Sequence, residues 1–320
     1  MTALQRIVVV AGGTTAERDV SLRSGRRVAA ALREAAGAPE VLEHDMDTGL
    51  LGLLGEVPGT CVIPLLHGRA GEDGVVADLL ESAGLPFVGS AAAAARLTFD
   101  KPVAKTVVSR AGLSTPDHVV VPLVAFRELG AGQVIDLLMR RLPLPLVIKP
   151  TRGGSSLGVE IVHSAADLPA AMVRVFAYGD VALIERHVRG QEVAVSIIDD
   201  GSGPRVLPLV EVVPDREFYD YESRYTAGTT EFFCPARLDE SVARGVADSA
   251  LAAHRALGLR DWSRVDVIVD GAGVPWFLEA NVAPGMTETS LVPQAIAADG
   301  QHLGTALLRL VSAAMDRVPR

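Results

Sequence analysis

The sequence predicts an α/β protein that opens on a doubly wound parallel sheet and closes on a polar-faced β-hairpin. Three observations predict it. Two apolar strand-like runs, residues 7–11 and 61–66, each end in glycine-bearing segments. Helical patterns separate such runs, as in an open parallel sheet whose ligands sit at the strand C-terminal ends. Near the C-terminus, Arg264-Val265-Asp266 and Glu279-Ala280-Asn281 flank turn chemistry at Asp270-Gly271-Ala272-Gly273.

The elements follow in order. Ile7-Val8-Val9-Val10-Ala11 reads as a buried strand running into Gly12-Gly13, and Asp19 is placed to cap a helix over residues 20–35. The strand 61–66 ends at His67-Gly68-Arg69-Ala70-Gly71-Glu72-Asp73-Gly74; a helix through Leu79-Leu80 and a strand over 85–89 complete a first module, residues 1–95. A second, 96–180, holds a helix over 97–111, a strand over 146–150, the loop Arg152-Gly153-Gly154-Ser155-Ser156-Leu157-Gly158, a strand over 159–162 and a helix over 165–176. The third, 181–320, carries strands over 181–185, 192–198 and 206–213, a long irregular stretch, a helix over 241–257, the hairpin and a last helix over 304–315.

In the hairpin, a register that sets 269 against 274 sets 266 against 277 and 264 against 279. Side chains alternate across a strand, so Arg264, Asp266, Glu279 and Asn281 emerge on one face. Two carboxylates and an amide there offer the oxygen ligands that Mg²⁺ takes, the rest coming from phosphates. The plainer alternative is a solvated ion pair. The apolar neighbours Val265, Val267, Phe277 and Leu278 favour a packed hairpin instead.

Other segments add weaker signals. The small residues of the Ser155 loop allow backbone N–H groups to approach phosphate oxygens, but no Gly-Lys-Ser/Thr follows, so it is not a Walker A loop. Lys149 sits at the end of an apolar run, where an unpaired ammonium is costly and a phosphate would resolve the cost. Lys101 reads no differently from a surface lysine, and Glu185 and Glu192, taken alone, read as surface carboxylates at strand ends. His67 and Glu72 flank a glycine loop. The histidines have no zinc spacing, and no Gly-x-Ser-x-Gly elbow occurs.

Composition narrows the class. The chain has 320 residues, a 49% apolar share and a formal net charge of −9, which argues against a nucleic-acid partner. Cys61 and Cys234 form no disulfide framework and fit a reducing cytosol. Residues 1–6 lack a signal-peptide core and no apolar stretch approaches a membrane span. A cytoplasmic enzyme with no membrane partner is expected.

With these segments assembled, the chain resembles the D-alanine–D-alanine ligases of the ATP-grasp superfamily over nearly its whole length. The matching segments are residues 12–21, 67–74, 149–158, Phe218-Tyr219-Asp220-Tyr221-Glu222 and 278–293. The resemblance implies an ATP-grasp fold behind an N-terminal parallel-sheet domain. It implies an ATP-dependent ligase that phosphorylates the carboxylate of one D-alanine and lets the amine of a second attack the acyl phosphate, supplying peptidoglycan precursor. It implies two Mg²⁺ ions, with Mn²⁺ as a substitute, on Asp266, Glu279 and Asn281. ATP contacts fall to Lys101, Lys149, Ser155, Ser156, Glu185, Glu192 and Arg224.

The same resemblance gives Glu17 the first substrate's ammonium, with Ser155 and Tyr225 as its hydrogen-bonded partners and His67 lining that subsite. Arg264 and the backbone N–H of Gly285 stabilise the oxyanion. Ser290, the backbone of Leu291 and Arg264 bind the second substrate's carboxylate. Tyr225 favours an amine nucleophile over a hydroxy acid, residues 219–230 and the Ser155 loop are expected to close over the site, and a homodimer through the N-terminal module is implied. Four positions depart from the family's pattern: Arg224 replaces a lysine, Gly153 a larger residue, and Val282-Ala283 a Thr-Ser pair. They leave room for a different amino-acid pair, joined by the same chemistry in a specialised pathway; a non-catalytic nucleotide binder would have little need of the metal ligands.

Overall fold

The structure, a computed structural model, describes residues 3–215 and 230–317. The chain begins with β1 (Arg6–Val10), α1 (Arg18–Glu34), β2 (Glu40–His44), α2 (Leu50–Glu56), β3 (Thr60–Pro64), the short α3 (Arg69–Glu72) and α4 (Val75–Ser82). β1 lies between β2 and β3, and all three run parallel. The run over 85–89 does not become a full strand; it joins β3 through one parallel bridge, Val62 to Phe87. α1 starts at Arg18, with Glu17 at the capping position and Asp19 inside the first turn. Glu17 makes no capping bond; its carboxylate is committed elsewhere.

Next come α5 (Ala92–Phe99), α6 (Lys101–Arg110), β4 (His118–Pro122), α7 (Leu123–Glu128), α8 (Ala131–Arg141), β5 (Leu146–Pro150), β6 (Glu160–Val162), α9 (Leu168–Phe176) and β7 (Val181–Arg186). The helix expected over 97–111 is broken at Asp100. That residue leaves the helical region and accepts a hydrogen bond from Val103 N, and Pro102 follows in the first turn. The break sets Lys101 at the head of a fresh helix. The second sheet has the order β4-β7-β5-β6; the division expected at residue 180 therefore falls just before a strand of this sheet.

The chain continues with β8 (Gly190–Ile198), β9 (Arg205–Val206), β10 (Val210–Pro214), β11 (Thr230–Phe233), α10 (Glu240–Ala256), β12 (Trp262–Asp270), β13 (Pro275–Asn281), α11 (Leu291–Ala298) and α12 (Leu303–Asp316). The strand expected over 206–213 divides into β9 and β10 around Leu207-Pro208-Leu209; proline lacks the N–H a ladder needs. These strands form a third sheet, β11-β10-β8-β12-β13 with β9 on β8. One apolar cluster joins Ile7, Val9, Val28, Leu32 and Ile63 to Trp262, Leu291, Leu307, Leu310 and Val311, so the last helices complete the first sheet's core. A polar latch reinforces that contact: buried Asp261 accepts from Gly89 N at 2.6 Å and pairs with Arg317 at 2.5 Å. No described helix is long and apolar enough to cross a membrane.

Candidate active site

The hairpin supplies the centre of the site, in a register that differs from the simple one. Val269 faces Pro275 and Val267 faces Phe277, but then Asp266 faces Glu279 and Arg264 faces Asn281. Leu278 is the extra residue of a β-bulge, and one inserted residue changes which side chains share a face. The four polar groups do gather. Arg264 grips Asp266 with two hydrogen bonds of 2.7 Å, and Asn281 Nδ2 donates to Asp266 at 3.1 Å. Glu279 lies 3.2 Å from Lys101 Nζ. Two carboxylates and an amide oxygen suit a hard divalent cation, and the basic partners hold them in place. Among the described residues no group of three His, Cys, Asp or Glu forms a metal cluster, so a cation here would draw its other ligands from a bound anion.

Beside the hairpin lies a cleft lined by Lys101, Lys149, Ser156, Glu185, Glu192, Asp266 and Glu279 on its polar side and by Val147, Ile161, Val188 and Leu278 on its apolar side. Lys101 is buried and donates to Gly153 O at 2.6 Å, so it is no surface lysine. Glu185 is likewise buried, against the surface reading. Its oxygens meet Lys149 at 2.5 Å and Lys105 at 2.8 Å. Burial alone would raise the Glu185 pKa, but the two ammonium groups overcome it and hold the carboxyl at about 2. Burial opposes the charge on Lys149 too, but Glu185, together with Glu279 and Glu192, outweighs it, so that pKa is raised. The cost of burying Lys149 is therefore met by carboxylates of the protein, Glu185 foremost. Lys105 escaped the sequence reading. It follows Lys101 by one helical turn and has no solvent exposure; that spacing was the signal available.

A second corner joins the first module to the Ser155 loop. The freed carboxylate of Glu17 accepts a hydrogen bond from Ser155 Oγ. Gly68, at φ 71°, lies so close that a Cβ there would run into this carboxylate. Ser155 and Ser156 both sit in the left-handed region, at φ 52° and 56°, a conformation that turns successive backbone N–H groups toward one side. Glu72 accepts from Gly68 N at 3.0 Å, and burial, with Glu17 nearby, raises its pKa to about 8. His67 is buried with its Nδ1 3.1 Å from Ala283 O and its Nε2 3.1 Å from Ser24 Oγ. Both ring nitrogens are thus bonded to protein atoms.

The third corner is the turn before α11. Ser290 Oγ accepts from Thr287 N at 2.9 Å and lies 2.9 Å from Thr287 Oγ1. It stands at the capping position of α11 without capping it, and Leu291 is the first residue of that helix. Gly285 packs against Ser290: a Cβ on Gly285 would stand 2.8 Å from its hydroxyl oxygen. Arg224 and Tyr225 lie outside the described residues, as does the segment 218–222. The other residues singled out from the sequence fall into the hairpin, the cleft and these two corners.

Comparison with known proteins gives the family. The family model described as "D-ala D-ala ligase C-terminus" matches residues 107–312. The D-alanine–D-alanine ligase of Anaeromyxobacter dehalogenans is 42% identical over 297 residues, covering 92% of each chain. That of Desulforudis audaxviator is 40% identical over 98% of this chain and 100% of its own. Among solved structures, the Bacillus anthracis D-alanine–D-alanine ligase complexed with ATP superposes with a TM-score of 0.81 at 28% identity, covering 98% of both chains. The VanG D-Ala:D-Ser ligase of Enterococcus faecalis gives 0.83 at 25% identity, covering 97% of this chain and 99% of its own. The chain belongs to the D-alanine–D-alanine ligase family.

Proposed function

We propose that the protein joins two D-alanine molecules at the expense of ATP, releasing ADP and phosphate and supplying peptidoglycan precursor. The observation that carries this reading is the meeting of Lys101, Asp266 and Glu279 in one cleft, with Glu17 bonded to Ser155 of the loop that lines it. The apolar side of the cleft suits a purine. Lys149 and Lys101 face the terminal phosphates, while Glu185 keeps Lys149 oriented; Glu192 reaches the ribose, and Ser155, Ser156 and Arg224 complete the phosphate contacts. Asp266, Glu279 and Asn281 would hold two Mg²⁺ ions, which neutralise the phosphate charge when bound.

Glu17 receives the ammonium of the first D-alanine, within the hydrogen-bonded set of Ser155 and Tyr225, and turns its carboxylate toward the γ-phosphate. Oxygen attacks phosphorus, the bond to the β-phosphate oxygen breaks, and an acyl phosphate forms. The second D-alanine, its carboxylate on Ser290, Leu291 N–H and Arg264, then attacks the acyl carbon through its neutral amine. Arg264 and Gly285 N–H stabilise the oxyanion, and inorganic phosphate leaves as the amide forms. His67 supports the first subsite from behind rather than by a free ring nitrogen. The reading also takes the protein to be a cytoplasmic homodimer joined through its N-terminal sheet unit.

The test is ADP release with D-alanine, L-alanine, D-lactate and mixed pairs, with product identification. D-alanine-dependent release with D-alanyl-D-alanine as product supports the reading. Turnover only with other pairs assigns the chemistry to a different dipeptide, and ATP binding without turnover removes the ligase assignment.

A further inference from the structure

Ser21, Ser24 and Arg27 repeat at every third residue along α1 and share one face. Ser21 and Ser24 are fully buried. Ser21 Oγ accepts from Gly12 N at 2.7 Å and donates to Leu65 O at 2.7 Å, tying together the ends of two strand segments. Ser24 and Arg27 reach further, to a loop more than two hundred residues away in sequence. Ser24 Oγ accepts from Met286 N at 3.1 Å, and Arg27 donates to Thr287 O.

The proton positions of this network follow from elementary donor and acceptor chemistry. Ala283 O can only accept, so the proton it meets is on Nδ1 of His67. The ring is buried and neutral, with its pKa pulled down to about 4 by burial. Nε2 therefore accepts, and the hydroxyl of Ser24 is its donor. The chain of bonds runs Met286 N–H to Ser24 Oγ–H to His67 Nε2, and from Nδ1–H to Ala283 O. It closes a ring around Pro284 and Gly285 through two side chains of the N-terminal sheet unit.

We propose that Ser24, seconded by Arg27, is a positioning residue for the acceptor half of the reaction, setting the loop that carries Gly285 and leads to Ser290. The inference rests on the ligase reading above. Its physical content is that one helix sets both reacting partners. Glu17, at the head of α1, places the donor amino acid, while Ser24 and Arg27 on the same helix place the loop that receives the acceptor. Attack needs the amine and the acyl carbon within about 3–3.5 Å, and a shift of about 1 Å costs on the order of a hundredfold in rate.

Steady-state kinetics of Ser24→Ala and Arg27→Gln, with ATP and D-alanine varied and the donor and acceptor constants resolved from the curvature of the D-alanine dependence, test this. The expected result is a fall of about tenfold or more in kcat/KM for the acceptor in Ser24→Ala and a smaller fall in Arg27→Gln, with KM for ATP and for the donor within about twofold of wild type. Equal changes in all three substrates, or a lowered melting temperature with unaltered constants, would overturn the proposal. ¹⁵N-imidazole NMR of the wild-type protein gives a second reading, independent of turnover. A neutral ring protonated on Nδ1 supports the network, and protonation on Nε2 alone overturns it. Absence of wild-type turnover with D-alanine removes the ligase reading itself, while the ring nitrogens still report whether the Ser24 network exists.

Discussion

Asp266 stands directly opposite Glu279 because Leu278 is an extra residue in β13. The bulge lets one strand pair place two carboxylates face to face, with Arg264 and Lys101 as their counter-charges. If Glu279 neutralises charge that builds during phosphoryl transfer, Glu279→Gln should lower kcat by roughly a hundredfold or more while ATP affinity changes by only about a few-fold. ADP release together with calorimetric ATP binding measures both; matching losses would contradict a role in the transition state.

Lys105 gives a stability prediction. It is fully buried and shares Glu185 with Lys149. Lys105→Met removes one of the two ammonium partners of a buried carboxylate that keeps Lys149, so the loss should stay below the roughly 3–5 kcal/mol of breaking a buried pair outright. Urea unfolding should show the loss, and Lys105→Met combined with Glu185→Gln should be less stable still, because Lys149 then keeps a buried charge without its partner. A double variant as stable as the single would show that packing, and not charge, makes Lys105 necessary.

Acid sensitivity has a defined sign. His67 and His254 are held near a pKa of about 4 against 6.5 by burial. The unfolded chain binds their protons first, so stability is complete above about pH 6.5 and falls toward pH 4, by about 1.4 kcal/mol per pH unit for each ring. Glu72 acts in the opposite sense: raised from 4.5 to about 8, it stabilises fully at low pH and loses that contribution as pH rises to 8. Comparing the protein with His254→Gln isolates one ring, because Glu72 is common to both. Stability followed from about pH 7 to about pH 4 should lose one proton's slope in the variant; identical slopes would rule out a buried neutral His254.

Gly285→Ala tests the acceptor corner. The added Cβ meets the hydroxyl of Ser290 at 2.8 Å, which must move. KM for the acceptor should rise by about tenfold, the effect of a side chain displaced by a fraction of an ångström at a site of close positioning, with KM for ATP unaltered. A variant with wild-type acceptor kinetics would place the second carboxylate elsewhere.

Much of this architecture was readable from local pattern. The strand ends at Gly12-Gly13 and His67-Gly68 and the polar face of the hairpin depend on residues close in sequence, which periodicity and turn chemistry report. The bulge at Leu278 was not readable, because a one-residue insertion leaves the alternation of polar and apolar residues intact on either side of it. Lys105, Ser24 and Arg27 were missed for a related reason. Their partners Glu185, Met286 and Thr287 are distant in sequence, so each residue alone looks like an ordinary helix residue. The burial of Glu185 was hidden in the same way, since its two ammonium partners come from different elements. The edge strand β2, Glu40-Val41-Leu42-Glu43-His44, holds only two apolar residues between charged ones, too few to stand out as a run.

The core shared by Ile63, Leu32 and Leu310 has a consequence for biogenesis. The ribosome delivers the first parallel sheet early and the helices 291–298 and 303–316 last. Until then the apolar flank of that sheet has no lasting cover, so the nascent unit cannot reach its final stability by folding in order of synthesis. Premature termination within the last helix should therefore expose hydrophobic surface at the opposite end of the polypeptide and send the truncated product to chaperones or aggregates, even though every residue of the nucleotide cleft has already been made.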